Sequence, residues 1–201
     1  MIKNYLAYEI SKKFEMDYTP YCEYVDLIVN SNFKGNYLLC DQVEVDEGKM
    51  MAIVGPSGSG KSYILNALLN ELSKKNISCV SIYYPTLLKK LKDSFNNKNT
   101  TFEQMYNELE MCDCLLIDDI GAENNTAWAR DEILGSLLQS RMDNDRITFF
   151  TSNFNLEELE EHLSSTSSSV DKVKARRIIE RIKQLSTPIS LISEDKRDNN
   201  L

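Results

Sequence analysis

Residues 55–62 read Gly-Pro-Ser-Gly-Ser-Gly-Lys-Ser, which is the full G-x-x-x-x-G-K-[ST] pattern of a phosphate-binding loop. Glycines let such a loop turn its backbone N–H groups toward phosphate oxygens, and the helix that follows adds the positive end of its dipole. In this pattern the lysine reaches the β- and γ-phosphates, and the serine hydroxyl ligates Mg²⁺. The sequence therefore predicts a site for a nucleoside triphosphate and Mg²⁺, with these nucleotide-binding residues: Gly55, Pro56, Ser57, Gly58, Ser59, Gly60, Lys61, Ser62 and Tyr63.

Two further apolar runs end in polar residues that suit the same site. The run LLI is followed by Asp118 and Asp119. Beside a phosphate-binding loop, Asp118 would hold Mg²⁺, directly or through water, and Asp119 would orient or deprotonate an attacking water. The run FFTS is followed by Asn153, which a parallel sheet would bring to the same edge. We expect Asn153 to contact the γ-phosphate or align the water; the alternative is an ordinary turn or helix-capping residue.

Strands and helices must alternate to bring these residues together. Short apolar runs predict strands, and apolar residues at helical spacing predict helices between them. The predicted strands cover residues 50–54, 77–83, 114–117, 147–151 and 188–192, and the predicted helices cover residues 61–75, 86–96, 127–142, 155–163 and 173–185, with one more helix opening at a capping box in residues 100–103. This order is typical of an α/β fold, here a P-loop NTPase with a parallel five-stranded sheet flanked by helices on both faces.

Composition excludes some classes of protein. The chain has 201 residues, with 23 lysines and arginines against 31 aspartates and glutamates, for a net charge of −8. This balance excludes a protein that coats nucleic acid through bulk positive charge. No apolar run approaches the roughly 18–20 residues of a membrane helix, so we expect a cytoplasmic protein with no membrane partner. Cys112 and Cys114 suit a strand edge better than a zinc site, because His162 is the only histidine.

Two basic segments are candidates for contacts with partners. Residues 171–183 contain six basic and two acidic side chains. Within them Arg177 and Arg181 share a helix face and are candidates for an arginine finger that reaches a neighbouring subunit's nucleotide. A candidate surface for single-stranded DNA combines three lysines with two nearby aromatic residues: Lys89, Lys90, Lys92, Tyr83 and Tyr84. In both segments a solvated helix face is the alternative.

Beyond the loop, the segment LLIDDIGAENNTAWARDEIL resembles the bacterial replicative helicase loaders of the DnaI/DnaC type, which are AAA+ ATPases. The resemblance continues in LLQSRM, FFTSNFNLEELEEHL and ARRIIERIKQLSTPISL, covers about residues 48–193 and is strongest to the DnaI branch. It implies that ATP binds between the P-loop and the helical segment near the C-terminus. The roles that it implies are Lys61 and Ser62 in Walker A, Asp118 and Asp119 in Walker B, Asn153 as sensor 1, Arg177 or Arg181 as the finger, and Arg197 near the place of sensor 2.

The resemblance also implies a function in DNA replication. Such primosomal loaders, when ATP-bound, bind single-stranded DNA and help to place the hexameric replicative helicase on it. The related IstB-type transposition ATPases share the core and are the near alternative. Family members usually carry an N-terminal domain that binds the helicase, and residues 1–45 are too short for it. We therefore expect an N-terminal extension (1–45), an AAA+ domain (46–193) and a flexible tail (194–201).

Three other functions fit parts of the sequence. The segment EGKMMAIVGPSGSGKS also resembles ABC-type transport ATPases, but no LSGGQ-like signature precedes Asp118 and no switch histidine follows Asn153 at the expected place. A small-molecule phosphotransferase would pass phosphate to a metabolite rather than release it. A nucleotide-binding module with little turnover is the third alternative, because Asp119 stands where a glutamate is commoner.

Overall fold

The computed structural model describes residues 38–39, 50–74, 76–94, 102–164 and 168–192, and a six-stranded sheet lies at the centre of this part of the chain. The strands are β1 (Leu38–Leu39), β2 (Met50–Val54), β3 (Cys79–Tyr83), β4 (Cys114–Asp118), β5 (Ile147–Ser152) and β6 (Ser186–Ile192). Their spatial order is β1-β6-β2-β5-β4-β3. The neighbours from β6 to β3 are parallel, and β1 pairs with β6 in the antiparallel sense.

Strand β1 is an addition to the predicted sheet, which contained the five parallel strands alone. It consists of two residues, and Leu38 lies opposite Ile192 in β6. A run of two residues is too short to show the period-two pattern that predicts a strand. Part of the predicted N-terminal extension therefore pairs with the main sheet.

Seven helices are described. They are α1 (Lys61–Ser73), α2 (Tyr84–Ser94), α3 (Phe102–Met111), α4 (Trp128–Gly135), α5 (Ser136–Asp143), α6 (Leu156–Leu163) and α7 (Ser169–Leu185). Asn155 caps α6 as its position suggests, since its side chain accepts hydrogen bonds from the N–H groups of Glu157 and Glu158.

The prediction of one α-helix over residues 127–142 was wrong in its first half. Helix α4 is π-helical and continues into the α-helical α5. Arg130 is buried in this segment together with Ile133 and Leu134. The guanidinium of Arg130 pairs there with Asp131 and with Asp171 of α7. A hydrophobic period alone does not reveal an interaction of this kind.

Helices cover both faces of the sheet, as predicted. On one face, Leu115, Ile117 and Phe150 belong to a core cluster that includes buried residues of α2 to α7. Successive side chains of a strand point to opposite faces. The buried residues Leu116 and Phe149 therefore face the other side, where α1 contacts β4 and β5 and contributes its own buried leucines.

Parallel pairing gathers the carboxyl ends of β2, β4 and β5 at one edge. Val54 lies opposite Ser152, and Ile117 lies opposite Phe150, so the three strands end close together. Ligands of open α/β sheets bind at this edge. The loop after β2, the acidic pair after β4 and Asn153 after β5 are thereby brought side by side.

Some sequence predictions fall on residues outside the described part. These are Arg197 with the tail 194–201, residues 165–167 of the serine-rich loop, the capping-box residues 100 and 101, and nearly all of 1–45. The domain boundaries therefore stay predictions.

Within the described residues, no helix combines the length and the apolar composition that crossing a membrane requires. Cys112 and Cys114 are buried free thiols.

A buried arginine holds together the opposite edge of the sheet. Arg141 of α5 is fully buried, and burial lowers the pKa of its guanidinium. The guanidinium donates to the Thr148 hydroxyl at 2.9 Å and to the carbonyls of Leu109, Cys112 and Ile147 at 2.6, 3.0 and 2.5 Å. One side chain thus satisfies acceptors from the end of α3, the start of β4 and the start of β5.

Replacing Arg141 by leucine should lower the free energy of unfolding by at least about 3 kcal/mol, because several buried acceptors lose their donor. Urea denaturation measures the loss. Arg146→Leu is the matched control, since Arg146 pairs with Asp113 at 2.7 Å where both side chains are about a third exposed. Arg146→Leu should lower the free energy of unfolding by less than about 1 kcal/mol. Equal losses in the two variants would contradict the role given to Arg141.

Candidate nucleotide-binding site

The phosphate-binding loop passes so close to β6 that its first residue must be glycine. Gly55 has a φ of 152°, and a Cβ at this position would come within 2.2 Å of the Leu191 carbonyl oxygen. Gly60 has a φ of 95° directly before α1, a conformation that strains other residues. Helix α1 therefore begins at the edge of the sheet, and its first two residues, Lys61 and Ser62, line a cavity there.

The ammonium group of Lys61 lies inside the loop. Its Nζ donates to the carbonyl oxygens of Gly55 and Pro56 at 2.8 and 2.9 Å and to Oδ1 of Asn153 at 2.9 Å. The residue is only 6% exposed. All three of these acceptors are uncharged, so none of them neutralises the positive charge of Lys61.

Asn153 joins Lys61 to the acidic pair. While Oδ1 of Asn153 accepts from Lys61, its Nδ2 donates to Oδ1 of Asp119 at 2.8 Å. Asp119 has a φ of 62°, which aspartate tolerates better than most residues. The geometry matches the predicted position of Asn153 at the same edge as the loop, rather than that of an isolated turn residue.

Thr151 orients both aspartates and was not predicted as a site residue. Its hydroxyl donates to Oδ1 of Asp118 at 2.6 Å and accepts from the N–H of Asp119 at 2.8 Å. The second carboxylate oxygen of Asp118 has no hydrogen bond among the described residues. The only sequence signal for Thr151 is a hydroxyl residue inside a strand that is otherwise buried and apolar, two positions before Asn153.

The predicted residues surround one cavity of about 330 Å³, which we call the nucleotide cavity. Its lining residues are Ser57, Gly58, Gly60, Lys61, Ser62, Tyr63, Tyr83, Asp118, Asp119 and Asn153. Gly55 and Pro56 take part through their carbonyls, and Ser59 is buried in the loop. Tyr83 was predicted for a different surface. Partial burial and the neighbouring Asp119 carboxylate raise the pKa of the Tyr83 phenol.

The donor set of the nucleotide cavity fits Mg²⁺ and a polyphosphate. Mg²⁺ prefers oxygen ligands and is usually held by one or two carboxylates together with phosphate oxygens. The Ser62 hydroxyl and the Asp118 carboxylate line the same cavity as Lys61. Backbone N–H groups at the start of α1 add the partial positive charge that favours anions.

The two candidate finger residues are not part of this cavity and differ from each other. Nε of Arg181 donates to Oε1 of Gln139 at 2.9 Å, so this arginine is held against α5 of its own chain. Arg177 is exposed and has no hydrogen bond or ion pair with any described residue. Of the two, Arg177 is therefore the one whose guanidinium is available to another molecule.

The candidate DNA surface needs one correction. Lys89, Lys90 and Lys92 are exposed on α2, as expected. Tyr84, however, is 1% exposed and its hydroxyl donates to the Ala129 carbonyl, so its ring lies in the core. The aromatic group beside these lysines is instead Trp128, whose ring centre lies 5.4 Å from the Lys92 ammonium.

Replacing Thr151 by valine keeps the shape of the side chain and removes the hydroxyl that orients Asp118 and Asp119. We expect a clear loss of Mg²⁺-dependent nucleotide binding and turnover, by roughly tenfold or more. Thr148→Val is the matched control, because Thr148 lies in the same strand, is equally buried and binds Arg141 rather than the acidic pair. It should lower thermal stability without changing the dependence on Mg²⁺. The role of Thr151 would be wrong if both variants kept the wild-type Mg²⁺ dependence.

Comparison with known proteins finds helicase loaders among the relatives by sequence. Replicative helicase loader DnaI of Bacillus subtilis (strain 168) is 40% identical over 155 residues, which are 77% of this chain and 49% of that protein. Replicative helicase loader DnaC of Escherichia coli (strain K12) is 30% identical over 119 residues, which are 58% of this chain and 48% of that protein. The chain thus spans about half the length of the curated relatives that it matches.

Solved structures and a family model agree with these relatives. A crystal structure of DnaI is 38% identical, with a TM-score of 0.64 over 75% of this chain and 78% of that chain. AMPPCP-bound DnaA from Aquifex aeolicus, at 16% identity, shares the fold with a TM-score of 0.59 over 90% of this chain and 48% of that one. Residues 41–188 match the family model described as ABC transporter, a family with the same P-loop core. The chain belongs to the P-loop ATPases and, within them, to the DnaI/DnaC family of replicative helicase loaders.

Proposed function

We propose that this chain binds ATP with Mg²⁺ in the nucleotide cavity and hydrolyses it there. The bridge that Asn153 forms between Lys61 and Asp119 carries the proposal. This bridge brings together a group for phosphate and a carboxylate for water, which a site for nucleotide binding alone does not require. Membership of the P-loop ATPases supports the same activity.

Each residue then has a distinct task. Backbone N–H groups of the loop and the Lys61 ammonium bind the β- and γ-phosphates. Ser62 and Asp118 hold Mg²⁺, which supplies positive charge against the phosphates when bound. Asp119 orients or deprotonates the attacking water, and Asn153 aligns it with the γ-phosphate. Asp119 is shorter than glutamate, so we expect slow turnover by the isolated chain.

The ATP-bound state would bind single-stranded DNA and assist the loading of a hexameric replicative helicase. The relatives' names support helicase loading, although the matched segments cover only about half of those proteins. The exposed lysines of α2 support DNA binding, and two of them, Lys89 and Lys92, line a second cavity of about 490 Å³ together with Asp93 and Glu123. The lysines would bind the phosphate backbone, and Trp128 beneath Lys92 offers a ring for stacking.

The test is ATP turnover by the full chain, alone, with single-stranded DNA, and with a hexameric replicative helicase from a related bacterium. We expect slow turnover that DNA or helicase stimulates, and its complete loss in Lys61→Ala. The double variant Lys89→Ala/Lys92→Ala should bind DNA at least about tenfold more weakly, with a lower salt dependence. Lys172→Ala/Lys183→Ala removes the same charge from α7 and serves as its control.

Different failures of this test point to different errors. Turnover that survives Lys61→Ala would show that ATP is not hydrolysed in the nucleotide cavity. ATP binding without turnover under every condition would favour the nucleotide-binding module. Transfer of phosphate to a metabolite would favour a phosphotransferase. Turnover that ignores both DNA and helicase would contradict the loader function.

Self-assembly through α7 is the remaining part of the proposed function. An arginine finger must reach the nucleotide of a neighbouring subunit and stabilise charge in the transition state. Arg177 is exposed and without a partner among the described residues, whereas Arg181 is bound to Gln139. We therefore assign the finger to Arg177.

In Arg177→Ala, turnover per subunit should no longer rise with protein concentration. At concentrations where the wild type is stimulated, its turnover should be lower than that of the wild type by about tenfold or more. ATP affinity should not change. Arg176→Ala is the control, because Arg176 is the adjacent exposed arginine and pairs with Glu160 of its own chain at 3.6 Å. Steady-state turnover at several protein concentrations measures both. An unchanged concentration dependence in Arg177→Ala would remove the finger from this position.

A further inference from the structure

The loop after the acidic pair contains a buried carboxylate that does not line the nucleotide cavity. Glu123 lies four residues after Asp119, and its side chain is 3% exposed. Its Oε2 accepts from the Gly121 N–H at 2.7 Å, and its Oε1 lies 3.5 Å from Nε2 of His162. No lysine or arginine among the described residues forms an ion pair with it. Burying a carboxylate costs free energy unless its oxygens are bound, so these two contacts determine where the Glu123 side chain lies.

This carboxylate completes the hydrogen bonding of the backbone that carries Asp119. The Asp119 N–H donates to the Thr151 hydroxyl at 2.8 Å, and the Ile120 N–H donates to the Thr151 carbonyl at 2.9 Å. Strand β5 thus binds the first two N–H groups after β4, and Glu123 binds the third, that of Gly121. Among the described residues, Glu123 is the one side chain outside β5 that forms a hydrogen bond with this stretch of backbone.

The backbone needs such support here because two of its residues have left-handed conformations. Asp119 has a φ of 62° and Gly121 has a φ of 98°. A non-glycine residue keeps such a conformation only where the surrounding contacts determine it. Gly121 also packs so closely against the Phe154 ring that a Cβ on Gly121 would come within 2.6 Å of it. A shift of Gly121 would therefore displace Asp119, two residues earlier, from its hydrogen bond with Asn153.

His162 joins this loop to the segment that carries Asn153. Its Nε2 is buried and forms no hydrogen bond with any described residue, which leaves the Glu123 carboxylate as the group that it faces. Its ring centre lies 5.4 Å from that of Phe154, the residue after Asn153. Its carbonyl accepts from Nδ2 of Asn125 at 2.9 Å. One residue in the last turn of α6 thus contacts both segments that carry the residues proposed to act on water.

We propose that Glu123 and His162 are positioning residues for ATP hydrolysis. Glu123 fixes Asp119 through the Gly121 N–H, and His162 holds the Glu123 carboxylate against α6. Neither residue lines the nucleotide cavity, so kcat rather than ATP affinity depends on them. This inference deepens the proposed function and rests on it for the reaction.

The experiment compares kcat and KM for ATP, without DNA, in the wild type, Glu123→Ala and Glu123→Gln. In Glu123→Ala, kcat should fall by about tenfold or more, because Asp119 is no longer held in a reactive position. KM should stay within about twofold of the wild type. Glutamine keeps an oxygen that can accept from the Gly121 N–H, so in Glu123→Gln kcat should return to within about threefold of the wild type. The melting temperature shows that each variant is folded in the assay.

Two further variants make the result specific. Asp113→Ala removes a carboxylate that accepts from the Ser78 N–H at 3.1 Å at the other end of β4, and it should lower stability without changing kcat. His162→Phe keeps a ring beside Phe154 and removes the nitrogen that faces Glu123, so kcat should fall by about two- to fivefold. Glu123→Ala/His162→Phe should lose no more activity than Glu123→Ala alone, because both changes act through one contact.

Three results would overturn the role of Glu123: a wild-type kcat in Glu123→Ala, a loss confined to KM, or equal losses of kcat in Glu123→Ala and Glu123→Gln. Independent losses that multiply in Glu123→Ala/His162→Phe would overturn the part given to His162.

Hydrogen exchange of residues 119–122 separates this inference from the proposed function. If the wild type does not hydrolyse ATP at all, the proposed function fails. Exchange in this segment should still be about two- to tenfold faster in Glu123→Ala than in the wild type, the range that one hydrogen bond spans. Glu123→Gln and Asp113→Ala should exchange there at the wild-type rate. Equal exchange in Glu123→Ala and the wild type would show that Glu123 does not hold the loop.

Discussion

The side-chain amide of Asn153 joins the two charged parts of the site, because its oxygen accepts from Lys61 and its nitrogen donates to Asp119. An amide suits this position since it can donate and accept at once, whereas a carboxylate only accepts and an aliphatic side chain does neither. The bridge spans residues far apart in sequence, from the loop after β2, the end of β4 and the end of β5. The spacing of the ammonium and the carboxylate thus depends on the sheet that sets these three strands side by side.

Strand β5 contributes more to the site than the sequence predicted, since Asn153, directly after the strand, was the one site residue predicted there. It lies between β2 and β4, so its last residues face both the loop and the acidic pair. Thr151 orients the aspartates, and the Ser152 hydroxyl donates to the Ile120 carbonyl at 2.6 Å. The Ile120 N–H in turn donates to the Thr151 carbonyl at 2.9 Å. The last two residues of β5, together with Asn153 directly after the strand, therefore hold the segment that carries Asp119.

Sequence patterns were sufficient where function needs residues at fixed local spacing. The loop from Gly55 to Ser62 and the acidic pair after β4 are of this kind, and alternating periods predicted the parallel sheet that unites them. Contacts between distant segments left no such pattern: the hydroxyl of Thr151, the ring of Tyr84 in the core and the ion pairs of Arg130 depend on packing. Strand β1 was missed because two residues show no period. The choice between Arg177 and Arg181 as the arginine finger required the structure, in which Arg181 is bound to Gln139.

The steady-state kinetics of Asn153→Ala test the central claim most directly. If the amide aligns the water and joins Lys61 to Asp119, kcat for ATP should fall by roughly a hundredfold, while the affinity for ATP stays within a few fold of the wild type. Asn144→Ala serves as the control, because among the described residues the side-chain amide of Asn144 binds the Ser140 carbonyl alone, at the end of α5. A kcat equal to that of the wild type in Asn153→Ala, or a loss confined to ATP affinity, would contradict the account.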